Sequence, residues 1–397
     1  MTCKTLFVAL LPALLMAACS SAPQETAAPE TTAMNTAPSA QAYRLLVGTY
    51  TSGKSEGIYV FALDAQNGTL SPLDTARGVS NPSFLKASPD GRHLYAVNEH
   101  SGDQEGMVSA FRWENGSGRL DFLNQQPSGG GDPCYLNVSP DGRHLLVANY
   151  TGGSIGVLPI EGEGRLGAPV QVVQHQGSSQ NKERQEKPHV HSVVLSPNGQ
   201  HLLAGDLGTD KINLYTFSGR AEQPLTPADP PFVAVEAGTG PRHLIFGPSG
   251  QYVYLVQELS GSMAVYRWNE GTPELMQTIS MTAPDFTGKV SGAEVRISPD
   301  GRFLYASNRG DANEIVIYAI NAADGSLSLV GRQPSGGKTP RNFVIDPSGR
   351  WLLVAHQDSD SIVVFARDAE SGKLRATDTK IEVSKPVYLL LLPAENS

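Results

Sequence analysis

The stretch Ser88-Pro89-Asp90-Gly91, followed by Arg92-His93-Leu94-Tyr95-Ala96-Val97-Asn98, decides the fold. Proline fixes one φ and glycine frees another, which makes a tight turn, and the apolar run behind it reads as a short buried strand. The phrase returns at Ser139-Pro140-Asp141-Gly142, Ser196-Pro197-Asn198-Gly199, Gly247-Pro248-Ser249-Gly250, Ser298-Pro299-Asp300-Gly301 and Asp346-Pro347-Ser348-Gly349. Outward from it, a glycine-x-leucine phrase or a close variant keeps step, with its leucine at Leu70, Leu120, Leu166, Leu225, Leu275, Leu327 and Leu374. The intervals are 50, 46, 59, 50, 52 and 47 residues. A period near 50 made of short strands and turns predicts an all-β chain, a seven-bladed β-propeller with four-stranded antiparallel blades.

One unit reads in full. Asn81-Pro82 leads into an inner strand over Ser83 to Ala87, His93 to Asn98 is the second strand, Gly106 to Arg112 the third, and Leu120 opens the outer one. The first blade has no inner strand before Tyr43 to Tyr50, and the run Val387 to Leu392 has no outer strands after it. These halves complete one blade, which closes the ring by pairing its ends and hides two strand edges.

The segments outside the ring differ in kind. Residues 1–18 carry one charge, Lys4, and an apolar run from Leu6 to Ala18 that is too short to span a bilayer. Met16-Ala17-Ala18-Cys19 resembles a bacterial lipobox, which implies a lipoprotein signal peptide and lipidation at Cys19. Residues 19–42 are rich in Ala, Thr, Ser and Pro and read as a disordered tether reaching about 25 Å. The propeller domain then occupies 43–397, and the expected location is the cell envelope, periplasm-facing, with membrane contact only through the lipid. With Cys3 and Cys19 set aside, Cys134 stands alone, so no internal disulfide is expected. The net charge is −9 and no basic run exists, which argues against nucleic acid as a partner.

Two positions per blade face the mouth of the channel: the lead-in to the inner strand and the end of the second strand. The lead-ins supply His189, His191, Arg242, His243, Glu294 and Arg341. The strand ends supply Asn98-Glu99, Asn149-Tyr150, Asp206, Gln257-Glu258, Asn308-Arg309 and His356-Gln357. Acids, imidazoles and guanidiniums converging on one funnel suit hydrolysis of an anionic or polar small molecule. Asn98, Asn149 and Asn308 read as structural turn residues. His189-x-His191 offers two same-side metal ligands, with Glu258 as a third, but nothing fixes that geometry and no metal is assigned. No Gly-x-Ser-x-Gly elbow is present, and Cys134 has no catalytic context.

At these residues the chain resembles the lactonase family of seven-bladed propellers, which includes propeller-type 6-phosphogluconolactonases and carboxy-cis,cis-muconate cyclases. The carriers are Pro188-His189-Val190-His191-Ser192, Gly240-Pro241-Arg242-His243, Gln257-Glu258-Leu259, Leu304 to Gly310, and Thr339-Pro340-Arg341-Asn342-Phe343. The resemblance implies His191, Arg242, Glu258 and Arg309 as catalytic residues, no cofactor, and a small-molecule sugar lactone as partner. His189, His243, Glu294 and Arg341 are assigned to substrate binding. Glu258 or His191 would act as general base, and the arginines would stabilise an oxyanion or hold an acidic group. Export favours an unphosphorylated aldonolactone. Two other readings stay open: a lactonizing cyclase, and a non-catalytic envelope propeller that binds a ligand or a protein. Replacing Arg242 or Arg309 by Ala, or Glu258 by Gln, is expected to abolish activity and leave the melting temperature nearly unchanged.

Overall fold

The computed structural model describes residues 42–394 apart from 101 and 103. The expected leader, the Cys19 site and most of the tether lie outside the described residues. The described chain forms seven four-stranded antiparallel sheets. We number the blades from the one that holds both ends.

Blade 1 combines Pro386–Pro393 with Ala42–Thr49, Gly57–Asp64 and Leu70–Arg77, in that order outward. Its first two strands pair antiparallel from Tyr43 opposite Pro393 to Thr49 opposite Pro386. The closure read from the unmatched half-blades is thus present. Leu45, Leu46 and Val47 have no exposed surface, because this strand packs between sheets on both faces. Blades 2 to 7 begin at Leu85, Pro133, Val190, Pro241, Gly292 and Pro340 and each runs four strands outward.

The repeated turn behaves alike in each copy. Gly91, Gly142, Gly199, Gly250, Gly301 and Gly349 take φ between 69° and 72°, a conformation that side chains with a Cβ adopt at a cost. In blade 2 the Asp90 carboxylate accepts from Ser88 Oγ at 2.5 Å and from Arg92 N at 3.1 Å, which locks the turn. The inner strand of this blade is shorter than the sequence reading, Leu85–Ala87 rather than 83–87. Asn81 has φ 41° and Ser83 turns its hydroxyl to Glu99, which draws the chain out of the ladder before Leu85.

At the opposite ends of the inner strands, Asn81, Asp132, Gly240, Thr339 and Lys385 precede prolines and have φ of 41° to 69°. These left-handed residues turn each chain into the channel. The residues that follow them are therefore presented toward one mouth of the ring.

Candidate active site

All seven blades deliver side chains to one cavity of about 450 Å³. Residues just beyond second strands supply Tyr50, Glu99, Tyr150, Thr151, Glu258 and Arg309. Inner-strand lead-ins and first residues supply Asp132, Cys134, His191, Ser291 and Arg341. One further residue, Arg184, comes from the segment between blades 3 and 4. Each β-strand alternates its side chains, so where the last paired residue faces between blades, the next one faces the channel. That explains why Asn98, Asn149 and Gln257 serve the scaffold. Asn98 Nδ2 donates to Ser80 O, Asn149 Nδ2 to Ser128 O, and Gln257 Nε2 to Thr239 Oγ1.

Glu258 is the electrostatic centre. Its Oε2 accepts from Arg242 Nε at 2.9 Å and lies 3.1 Å from Arg309 Nη2, and its Oε1 accepts from Arg184 Nη2 at 2.8 Å. Burial alone would raise its pKa. Arg309, Arg242 and Arg184 outweigh burial and hold it down at about 2. Burial pushes Arg309 down to about 9, which Glu258 partly offsets, so its guanidinium is still charged at neutral pH.

His191 is nearly sealed, yet it lines the cavity. Burial, then Arg242, His243 and Arg341, hold its pKa well below the ordinary histidine value, so it is neutral at pH 7. Its one ring-nitrogen hydrogen-bond contact among the described residues is Nδ1 to Cys134 Sγ at 3.7 Å. Burial pushes the Cys134 thiol well above its usual range, so it remains protonated and unreactive.

Of the expected catalytic residues, His191, Glu258 and Arg309 line the cavity. Arg242 does not. It is 1% exposed, bonded below Glu258 and to Ala293 O at 2.7 Å. The expectation that Arg242 or Glu258 could be replaced without loss of stability is corrected on this point, since either change would strand a buried charge of the Arg242–Glu258 pair. Of the expected binding residues, only Arg341 lines the cavity. Its guanidinium lies 5.3 Å from the centre of the Tyr50 ring. His243 and Glu294 sit deeper in the channel, with His243 Nδ1 3.4 Å from Glu294 Oε1 and Asn342 bonded to Glu294. His189 has both ring nitrogens engaged, Nδ1 with Tyr150 O at 3.1 Å and Nε2 with Glu186 at 3.1 Å. It therefore cannot offer a metal the His-x-His pair read from the sequence.

Sequence reasoning missed Arg184. Its signal was the 59-residue interval, the longest of the six, which marks added chain between blades 3 and 4. That segment is pinned. Asp206 holds His175 at its start (2.8 Å) and the His189 amide at its end (2.8 Å), while Gln185 Nε2 bonds Leu207 O and Asp210 inside the protein. Glu99 was noted only as a strand end. Tyr50 Oη donates to it at 2.8 Å and Ser83 binds its other oxygen.

A second cleft of about 670 Å³ lies between the outer parts of blades 1 and 2. Its polar floor is already bonded to itself, through Ser109, Gln125 and Asn98, and it lacks a comparable set of charges. The mouth cavity is the candidate site.

The model of the family described as Lactonase, 7-bladed beta-propeller, matches residues 44–391. The chain belongs to this lactonase family. A 6-phosphogluconolactonase of Formosa agariphila is 36% identical over 342 residues, 86% of this chain and 97% of that protein. A 6-phosphogluconolactonase of Bacillus subtilis is 35% identical over 348 residues, 87% and 97% of the two chains. Among solved structures, the periplasmic gluconolactonase of Pseudomonas aeruginosa is 43% identical with a TM-score of 0.86, over 89% of this lactonase-family chain and 99% of that one.

Proposed function

We propose that this lactonase-family protein hydrolyses a sugar lactone by direct attack of water, without a metal. The observation that carries the reading is one cavity holding a neutral imidazole, His191, beside a carboxylate gripped by three guanidiniums. The relatives named 6-phosphogluconolactonase and the neighbour named gluconolactonase support the same reaction class.

His191 acts as general base. Both oxygens of Glu258 are occupied by guanidiniums, and its pKa near 2 makes it a weak proton acceptor. His191 keeps an unprotonated ring in the cavity wall. It takes a proton from water as the water adds to the lactone carbonyl. The tetrahedral oxyanion then forms against Arg309, and its charge raises the imidazole's affinity for the proton it holds. His191 returns that proton to the ring oxygen as the C–O bond breaks, leaving an aldonate and one proton in solution. Glu258 orients Arg309 and keeps the cluster from repelling itself, and Arg242 holds Glu258 from below.

The lactone in this reading is unphosphorylated, since the leader directs the chain to the envelope and lipidation at Cys19 tethers it there. Cys19→Ser should abolish lipid labelling and release the protein from membranes; wild-type protein found free in the cytoplasm would overturn that part. The activity test is acid release from D-glucono-1,5-lactone and its 6-phosphate by purified protein, corrected for spontaneous opening. No acceleration on either, or on other aldonolactones, would leave a binding propeller as the better reading.

A further inference from the structure

Arg184 is not needed to neutralise Glu258. Arg242 and Arg309 already bind that carboxylate, and both are buried. Arg184 adds a third guanidinium, and its side chain is 42% exposed. Tyr150 Oη takes the same Nη2 at 3.1 Å, so the fork is aimed across the mouth while much of it faces solvent. Arg341, in the same cavity, makes no ion pair and donates no side-chain hydrogen bond among the described residues; it lies over Tyr50. The guanidiniums that line the cavity (Arg184, Arg309, Arg341) equal its carboxylates (Glu99, Asp132, Glu258) in number, but Arg309 is already paired with Glu258, together with Arg242 from below.

We propose that Arg184 is a specificity residue, which together with Arg341 takes an anionic substituent of the lactone remote from the reacting carbonyl. The inference rests on the lactonase reading of the site. Guanidinium forks suit the planar or tetrahedral oxygens of a carboxylate or a phosphate. The pinned insertion is what makes this selective. Gln185, next in the chain, has no exposed surface and two buried hydrogen bonds, so Arg184 is presented in a fixed direction and little ordering is lost on binding. A carboxylated lactone reconciles this charge demand with an unphosphorylated, exported substrate.

The test compares wild type with Arg184→Gln on three probes: D-glucono-1,5-lactone, which is neutral, D-glucaro-1,4-lactone, which carries a carboxylate, and 6-phospho-D-glucono-1,5-lactone. Wild type should favour at least one anionic probe over the neutral one, and the better of the two names the anion. Arg184→Gln should lower kcat/KM on that probe by about 10–100-fold, mostly through KM, as loss of a charge-assisted hydrogen bond does. The neutral probe should lose clearly less than the anionic one, since it has no group for the fork to hold, although Arg184 also touches Glu258. Arg341→Gln should show the same split, and Arg184→Lys, which keeps the charge, should recover part of the preference. Equal losses on all three probes would mean that Arg184 serves only Glu258 and would overturn the proposal. So would a wild type with no anionic preference, or a Gln variant with no loss. If the Gln variant fails to fold, the Lys variant decides on the same criterion. Absence of turnover on every probe would overturn the lactonase reading itself.

Discussion

At the scale of single residues, two groups that the sequence treated alike separate. His191 and Glu258 were equal candidates for the base, and only their partners divide them. Glu258 anchors Arg184, Arg242 and Arg309, whereas His191 has one weak contact to a thiol. His191→Gln should lower kcat by about 10²–10⁴, the usual worth of a general base, with little change in melting temperature. Glu258→Gln should lose activity and also about 3–5 kcal/mol of stability, because three guanidiniums lose their counter-charge in a buried site. Paired turnover and thermal melts check both, and a Glu258→Gln variant as stable as wild type would sink the organiser role. Arg242→Ala should resemble Glu258→Gln in the melt. The residue types were legible in the sequence. Their depth was not, because whether a lead-in arginine reaches the mouth or turns beneath it depends on the neighbouring blade.

At the scale of elements, the repeat provides its own controls. Tyr254 and Tyr305 hold equivalent places in second strands, and each hydroxyl donates to a glycine carbonyl of the next blade, Gly325 O at 3.0 Å and Gly372 O at 2.7 Å. Tyr95 holds the same place in blade 2, but its hydroxyl has no partner among the described residues. The turn it faces is different, a short 3₁₀ segment over Gly162–Gly164 with Glu163 left-handed. Tyr254→Phe should cost about 1 kcal/mol, Tyr305→Phe more, because its hydroxyl also accepts from the buried Arg367 Nε at 2.8 Å, and Tyr95→Phe should be neutral or slightly stabilising. Denaturant melts of the three variants decide it; a Tyr95→Phe loss equal to the others would show a hidden partner. The closing strand gives a larger effect. Truncation after Ser384 removes Pro386–Pro393 and leaves the edge of Ala42–Thr49 open along its whole length. The shortened chain should aggregate or melt far below the intact one, measured by light scattering during heating. The strand boundaries were mostly readable from the turn phrase, since a proline and a left-handed glycine mark them locally. The inner strand of blade 2 was misjudged because a side-chain bond from Ser83 to Glu99 ended it, and that bond spans two strands.

At the scale of the whole molecule, the buried charges give a pH dependence with a definite sign. Burial, reinforced by nearby guanidiniums, lowers His191 well below its ordinary value and His243 to about 4. Glu258 and Glu294 are held at about 2, since neighbouring cations outweigh the effect of burial. Each group therefore binds a proton more readily in the unfolded chain, and stability falls as pH falls. The histidines act from about 6.5 down to 4 and the carboxylates from about 4.5 down to 2. The melting temperature should hold above pH 7 and drop progressively below 6.5; a flat profile from pH 8 to 4 would contradict neutral buried histidines. By itself the sequence determined the all-β class, the count of seven, the closure through both ends and the residue types that ring the channel. These follow from turns and strand periods, which are local interactions repeated in step. Only the tertiary structure decided that Arg242 lies under Glu258, that His243 and Glu294 sit below the cavity, and that Arg184 reaches it from an insertion. Those outcomes depend on how blades distant in sequence meet around one axis, and on which charges must be paired once water is excluded there.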